Sequence, residues 1–355
     1  MKLAITGGHL TPALEFIDYI KANQPKEQII FLGRTHTQIN QPAREQELVA
    51  SRKIKFIEFN SPKLSGSPIS LLLKLPQLII NIFKARKILK DNQVTGFLGF
   101  GGYLSLPVAI AAKALRLPIV IHEQTMSLGL ANQLIAFFAD RVALSFPADK
   151  PLATKYQVTG NLLRSKLVTK SIRPKWIPQT NLPVLFITGG SQGSKFINKL
   201  ALELLPELTK DFSVIHQTGR QTDLLPLETK NYFRREWLDE SELAWILQHA
   251  KICLSRSGAN TVQELHFFAI PSLLIPLPYS RRHEQLKNAD LLASLGGAIV
   301  LRQDQAQISH VLEALKIIIK RQNQMTIRLK ETKPIQALTA AAKIFELIKT
   351  AHESR

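Results

Sequence analysis

Apolar residues come along this chain in short runs that end in small residues, and stretches long enough for a helix lie between them. Lys2 to Thr6, Gln28 to Leu32, Ile54 to Phe59, Pro118 to Ile121 and Arg141 to Ser145 are such runs in the first half. Each reads as a buried strand. Thr11-Pro12 opens a helix with Ala13, Leu14, Phe16, Ile17 and Ile20 along one side. Gly96 to Tyr103 reads as a strand and a glycine loop, with a helix from Pro107 to Leu115 after it. The pattern then restarts. Val184 to Thr188 leads into Gly189-Gly190-Ser191-Gln192-Gly193-Ser194 and a helix from Lys195 to Leu205, and Ser213 to Gln217, Ile252 to Leu254, Ser272 to Ile275 and Ala298 to Leu301 continue the alternation. Ile335 to Lys349 is an amphipathic helix.

Strands separated by helix-length segments call for parallel sheets covered on both faces. Two such series predict two doubly wound α/β domains facing across a cleft, with ligands beyond the strand carboxyl ends. The expected division is 1–160, 161–333 and a last helix over 334–355 that packs back toward the first domain, with Thr159 to Arg164 as the crossing. At 355 residues each domain is large enough for its own core.

Composition changes this picture in one respect. Apolar content of 45% and 21% charged residues are ordinary for a globular chain, but the formal charge is +19. Basic residues outnumber acidic ones in both halves, which favours anionic partners. Nucleic-acid signatures are absent, so phosphate and membrane surface remain. Between Glu58 and Asp91 no acid occurs, while Lys74, Lys84, Arg86, Lys87 and Lys90 alternate with Leu73, Leu75, Ile79, Ile80, Ile82 and Phe83. That composition predicts an interfacial helix over Ser70 to Lys90, with Pro76 as its first helical residue. The one cysteine, Cys253, excludes an intrachain disulfide.

The chain is organised around Ser255-Arg256-Ser257-Gly258-Ala259-Asn260-Thr261-Val262-Gln263-Glu264. A strand passes there through small residues into a helix, whose first amides and positive dipole end make a seat for a diphosphate. Glu264 follows about one and a half turns on, placed to take a sugar diol. Three glycine loops stand at strand ends, at Thr6 to His9, Gly99 to Tyr103 and Gly189 to Gly193. None has the spacing of a dinucleotide or triphosphate-hydrolase loop. His9 follows a glycine turn, where an imidazole can act as a base or can simply cap the helix. His122 and Glu123 read as groups that orient their neighbours. No His/Cys spacing and no Asp-x-Asp signals a metal, so neither metal nor cofactor is expected.

Thr6-Gly7-Gly8-His9-Leu10-Thr11-Pro12-Ala13, Gly99-Phe100-Gly101-Gly102-Tyr103, His122-Glu123-Gln124, Gly189-Gly190-Ser191-Gln192-Gly193, His216-Gln217-Thr218-Gly219, Arg256-Ser257-Gly258-Ala259 and Glu284-Gln285 stand in one order. That set resembles the family of bacterial glycosyltransferases that make lipid II. The resemblance implies the GT-B fold of two Rossmann-like domains and inverting chemistry without an obligatory metal. It implies transfer of N-acetylglucosamine from UDP-GlcNAc to lipid I, undecaprenyl-diphosphoryl-N-acetylmuramoyl-pentapeptide, by a peripheral protein on the cytoplasmic, anionic face of the membrane. Carried over by position, the donor residues are Thr6, Gly7, Gly8, Thr125, Arg164, Ser191, Leu238, Ala259, Asn260, Thr261, Val262, Gln263, Glu264 and Gln285, and His9 is the base or an acceptor-binding group. Leu238 would present backbone to uracil, Ser191 would meet diphosphate, and Glu264 would take the ribose hydroxyls.

The chain departs from the family where Ala4 and Ile5 replace two glycines and where Thr125 replaces an asparagine. Asn132 is close enough in sequence to supply the missing amide. Two readings stay beside this one: another UDP-sugar enzyme of the same fold, either a glycolipid transferase or a UDP-GlcNAc epimerase, and an inactive membrane-binding relative.

Overall fold

The computed structural model describes residues 1–36, 44–62, 68–147, 153–190, 192–219, 228–280, 283–334 and 336–354, without the side chains of 44 and 68–72. The chain forms two units, Met1–Arg164 with Gln336–Arg355, and Ser165–Ile335.

The first unit is a seven-stranded sheet of β1 (Lys2–Thr6), β2 (Gln28–Gly33), β3 (Lys55–Glu58), β4 (Gly96–Gly99), β5 (Ile119–Glu123), β6 (Arg141–Leu144) and β7 (Tyr156–Val158), in the order β3-β2-β1-β4-β5-β6-β7. Every pairing is parallel. A strand buried on both faces must feed two cores, and β1 does so residue by residue. Leu3 and Ile5 enter one core with Phe16 and Ile17 of α1 (Leu10–Asn23). Ala4 enters the other, with side chains of α3 (Pro68–Asp91), α4 (Ser105–Ala114) and α5 (Leu130–Ala136). The last helix, α11 (Gln336–Glu353), adds Ile344, Phe345, Leu347 and Ile348 to the first of these cores. The remaining helix of the unit is α2 (Arg44–Ala50).

The second unit is a six-stranded parallel sheet in the order β10-β9-β8-β11-β12-β13. Its strands are β8 (Val184–Thr188), β9 (Ser213–Gln217), β10 (Tyr232–Arg235), β11 (Ala250–Ser255), β12 (Ser272–Leu274) and β13 (Ala298–Val300). The helices are α6 (Lys195–Asp211), α7 (Glu240–His249), α8 (Ala259–Phe267), α9 (Glu284–Ser294) and α10 (Ile308–Glu331). Leu185, Ile187, Ile252 and Leu254 share a core with α6 and α10.

In both orders the sequence of strands reverses at one place, between β1 and β4 and between β8 and β11. The glycine loops lie at the carboxyl ends of those four strands, where a doubly wound sheet leaves room for a ligand.

Three local expectations need correction. Pro76 lies inside α3, which opens instead at Pro68. Proline fits a first turn best, and here two prolines compete for it. The strands β7 and β10 have no counterpart among the expected elements, because both are edge strands of three or four residues, too short for a continuous apolar run. The 24-residue α10 was not anticipated either: its buried Val311, Ala314, Leu315 and Ile318 are diluted by lysine, glutamine and exposed isoleucine.

Candidate active site

In the first unit the loops after β1 and β4 meet backbone to backbone. His9 N donates to Phe100 O at 3.0 Å, and Phe100 N donates to Thr6 O at 3.0 Å. A Cβ on Gly8 would lie 2.2 Å from Gly101 O, and one on Gly102 would lie 2.6 Å from Gly8 Cα. Only glycine permits that approach. Ser105 gives its hydroxyl proton to Gly101 O, so the Thr6 hydroxyl donates to Ser105 Oγ at 2.7 Å. The Thr6 side chain is thus buried and occupied, leaving only its backbone for a ligand.

His9 is the N-cap residue of α1, yet its side chain makes no capping bond. It is half-buried and borders Gly101. Desolvation holds its pKa below the ordinary imidazole value, against the opposing charge of Glu123. A group of this kind is neutral at physiological pH and can accept a proton.

Glu123, at the end of β5, is the most heavily bonded group here. Oε1 accepts from Thr125 N at 3.1 Å and Thr125 Oγ1 at 2.8 Å; Oε2 accepts from Gly129 N at 2.8 Å and Asn132 Nδ2 at 3.0 Å. The carboxylate fixes the loop between β5 and α5. His122 beside it is buried, its Nε2 near Gly160 O (3.3 Å) and Ser145 Oγ (3.2 Å), and burial pushes its pKa down to about 4. Thr125 is half-buried and its hydroxyl serves Glu123 or Ser127 O rather than open space. Asn132 does not stand in for the missing asparagine, because its amide nitrogen is taken by Glu123 and by His122 O. Arg164, half-buried, is the last residue of the unit's first segment.

In the second unit the loop after β8 opens α6, with Ser194 capping it through Ile197 N at 3.4 Å. Ser191 lies outside the described residues. Gly193 (φ +73°) touches the loop after β9: a Cβ there would meet Thr218 O at 2.3 Å, and one on Gly219 would meet Gly193 Cα at 2.6 Å. Behind this contact His216 bridges Tyr232 Oη and Asn198 Oδ1, each at 3.1 Å, while Asn198 Nδ2 donates to Thr218 O at 3.0 Å.

The loop after β11 passes from the strand directly into α8, as the sequence led one to expect. Gly258 caps α8 with no side chain, so Ala259, Asn260 and Thr261 present first-turn amides at a positive helix end. Val262, Gln263 and Glu264 follow in the same helix and are buried. Ser257 Oγ donates to Gln285 O at 2.7 Å, and Gln285 Oε1 accepts from Leu277 N at 3.0 Å, which brings Gln285 to this loop. Leu238 is half-buried in the turn before α7, one residue ahead of the capping Asp239. Arg256 is buried and donates to Ser194 Oγ, Ile275 O, Pro276 O and Gln303 Oε1. Burial lowers its pKa to about 10, so it stays charged behind both loops.

Residues 6–144 match the glycosyltransferase family 28 N-terminal domain and residues 184–348 its C-terminal domain. A relative from Prochlorococcus marinus subsp. pastoris is 32% identical over 335 residues, covering 93% of this chain and 86% of its own. The chain belongs to glycosyltransferase family 28. That relative, and one from Acetivibrio thermocellus that is 31% identical across 98% of both chains, carry the name UDP-N-acetylglucosamine--N-acetylmuramyl-(pentapeptide) pyrophosphoryl-undecaprenol N-acetylglucosamine transferase. Among solved structures, Acinetobacter baumannii MurG superposes with a TM-score of 0.73 at 23% identity over 98% of this chain and 99% of that one. Staphylococcus aureus MnaA with UDP gives 0.71 at 14% identity, over 98% and 96%. These likenesses show the fold, which is the GT-B arrangement of two Rossmann-like domains.

The sequence alone assigned no part to Arg34, whose backbone N donates to Glu45 Oε2 at 2.9 Å, whose Nε and Nη2 both donate to Glu45 Oε1, and whose Nη1 donates to Tyr103 Oη at 3.2 Å beside the Gly101-Gly102 turn. Of these three residues only Tyr103 stands in a glycine-loop motif; Arg34 and Glu45 lie far off in sequence, where no local pattern connects them to it.

Proposed function

We propose that this chain transfers N-acetylglucosamine from UDP-GlcNAc to lipid I to form lipid II, with inversion at the sugar. The observation that carries the reading is identity above 30% to relatives bearing that activity in their name, over nearly the whole chain. The glycine loops at both strand reversals support it.

The chemistry is a single displacement. The acceptor hydroxyl oxygen attacks the anomeric carbon, the bond from that carbon to the diphosphate oxygen breaks, and UDP leaves with the electron pair. His9, neutral and half-buried, takes the hydroxyl proton. The amides at the start of α8 and in the Gly189–Gly193 loop receive the charge that grows on the leaving diphosphate. The constant charge of Arg256 behind those loops raises the local potential at no cost in reorganisation. Glu264 takes the ribose hydroxyls by charge-assisted bonds.

Lipid I cannot leave the bilayer, so the protein goes to it. Among the described residues no helix is long and apolar enough to cross a membrane. Instead α3 turns Leu73 (76% exposed), Phe83 (67%), Ile80 and Ile79 outward, with exposed Lys84, Arg86, Lys87 and Lys90 beside them. Its inward stripe is Asn81, Ala85 and Leu89. A helix that hides asparagine and exposes isoleucine is suited to an interface, with shallow apolar insertion and basic residues on anionic headgroups of the cytoplasmic leaflet.

Measuring UDP release from UDP-GlcNAc with and without a lipid I analogue tests the assignment. Acceptor-dependent release is expected. Acceptor-independent conversion of the sugar to an epimer would sink it in favour of an epimerase of this fold, and no reaction at all would favour an inactive relative.

A further inference from the structure

We propose that Asn132 is a positioning residue for His9: its amide oxygen receives the Nε2–H of the imidazole and leaves Nδ1 to take the acceptor's proton. This deepens the reading of His9 as the base and rests on it for the turnover measurement only.

The orientation of the Asn132 amide is forced. Its Nδ2 lies 3.0 Å from Glu123 Oε2 and 3.2 Å from His122 O. Both are acceptors, so the nitrogen must face them and the oxygen must face away. That oxygen is buried, on a residue only 1% exposed, and has no hydrogen-bond partner. Buried polar atoms are seldom left so, and each unpaired one calls for a donor.

His9 supplies the donor. Asn132 Nδ2 and His9 Cδ2 each lie 3.4 Å from the point where a Cβ on Gly101 would stand, and His9 Nε2 lies 3.7 Å from it. The nitrogen end of the amide and the Cδ2–Nε2 edge of the imidazole therefore flank one small space, kept open because residue 101 is a glycine at φ +72°, and the amide oxygen belongs to the same planar group. Nε2 is the ring nitrogen on this side, which leaves Nδ1 pointing elsewhere. The imidazole makes no bond to the helix end it caps, so a modest side-chain rotation is free to close the contact.

Behind the amide the chain continues to Glu123, which Thr125 and Gly129 hold in place. A carboxylate, an amide and an imidazole in series would fix the tautomer of the base and let the buried charge favour its protonated form without taking the proton. The other titratable group facing His9 is His122 on β5, whose charged form would oppose that of His9.

The test uses the full chain with 15N-labelled histidine, His9→Gln assigning the His9 signals among the nine histidines. In the wild type the neutral His9 ring should carry its proton on Nε2. In Asn132→Leu the tautomers should mix and the His9 titration should move to lower pH, because a group that stabilises the imidazolium has gone. The ascending limb of kcat/KM against pH should move down with it. Turnover should fall on the order of 10²-fold, the usual effect of a misplaced catalytic group, with UDP affinity by calorimetry retained. Asn132→Asp keeps an oxygen toward His9; its other oxygen meets Glu123 Oε2, so the two carboxyls share one proton and hold their negative charge closer to the ring, and the titration should move to higher pH. These opposite shifts at one position also separate positioning from damage to the fold. An Nδ1–H tautomer in the wild type, or a His9 titration unmoved in both variants, overturns the proposal. If His9→Ala turned over normally, the base assignment would fall, while tautomer and titration would still decide the Asn132 contact.

Discussion

Acidification from about pH 7.5 to about pH 5 should cost the second unit about 2 kcal/mol through His216 alone. His216 is fully buried between Tyr232 and Asn198, and burial with the nearby Arg234 charge brings its pKa from 6.5 down to about 3. The folded state therefore binds its proton less readily than the unfolded chain. Stability from this group is complete above pH 6.5 and falls as pH drops toward 3, at about 1.4 kcal/mol per pH unit. Over the 1.5 units below 6.5 the loss is about 2 kcal/mol, a sizeable share of a domain stability of about 5–15 kcal/mol. The three tryptophans, Trp176, Trp237 and Trp245, all belong to this unit, so fluorescence in a urea titration reports on it without the other. In His216→Leu, Tyr232 Oη and Asn198 Oδ1 lose their partner, which should cost about 1–3 kcal/mol at the higher pH. The same variant should have a flatter pH dependence, since the group that refused the proton is gone. A variant as stable as wild type at pH 7.5, or one whose stability falls as steeply on acidification, would refute the reasoning. Donor affinity provides a second reading, because the same relay holds Thr218 against Gly193.

Other changes separate the remaining roles. Glu264→Ala should weaken UDP binding by about 1–3 kcal/mol, roughly five- to 150-fold, and unchanged calorimetric affinity would remove Glu264 from the donor site. His9→Ala should lower turnover by about 10²–10⁴ with donor binding nearly intact, and normal turnover would return the residue to a purely structural place. Thr125→Asn keeps a donor toward Glu123 and should leave stability within about 0.5 kcal/mol, whereas Thr125→Val should lose about 1 kcal/mol; equal melting of the two would contradict the hydroxyl contact. Reversing Lys84, Arg86 and Lys87 together to glutamate should abolish sedimentation with anionic vesicles and spare UDP binding. Binding indifferent to lipid charge, salt and that change would remove α3 as the docking element.

Much of this was legible because parallel strands buried on both faces leave a continuous apolar run, as in Val184 to Thr188, and because a glycine at a strand end has few other uses. The doubly wound class and the loops at Gly7-Gly8, Gly101-Gly102, Gly189 to Gly193 and Ser257-Gly258 could be read directly. Edge strands could not: Tyr156-Gln157-Val158 is short, half in water and no different from a loop in its pattern. The site was legible as a set of loops and illegible as a set of bonds. Nothing local says that Glu123 spends all four of its contacts on the loop behind it, or that the Asn132 nitrogen is already taken. Those contacts span only two to ten residues, but they are choices among competing polar partners, made only once β5 and α5 are packed. The place of Pro76 failed for a related reason, since a proline signals a first turn equally well at 68 and at 76.

The return of α11 to the first unit gives that unit an unusual birth order. Its sheet is encoded entirely before Gly160, yet Ile344, Phe345 and Ile348, which seal one side of it, are translated only after the whole second unit. While a ribosome works through the second unit, the first waits with one apolar flank of its sheet open. The second unit, continuous from Ser165, meets no such delay. The protein therefore matures in reverse of its reading order: the unit made second can finish first, and the unit begun first is completed by a helix that follows the second.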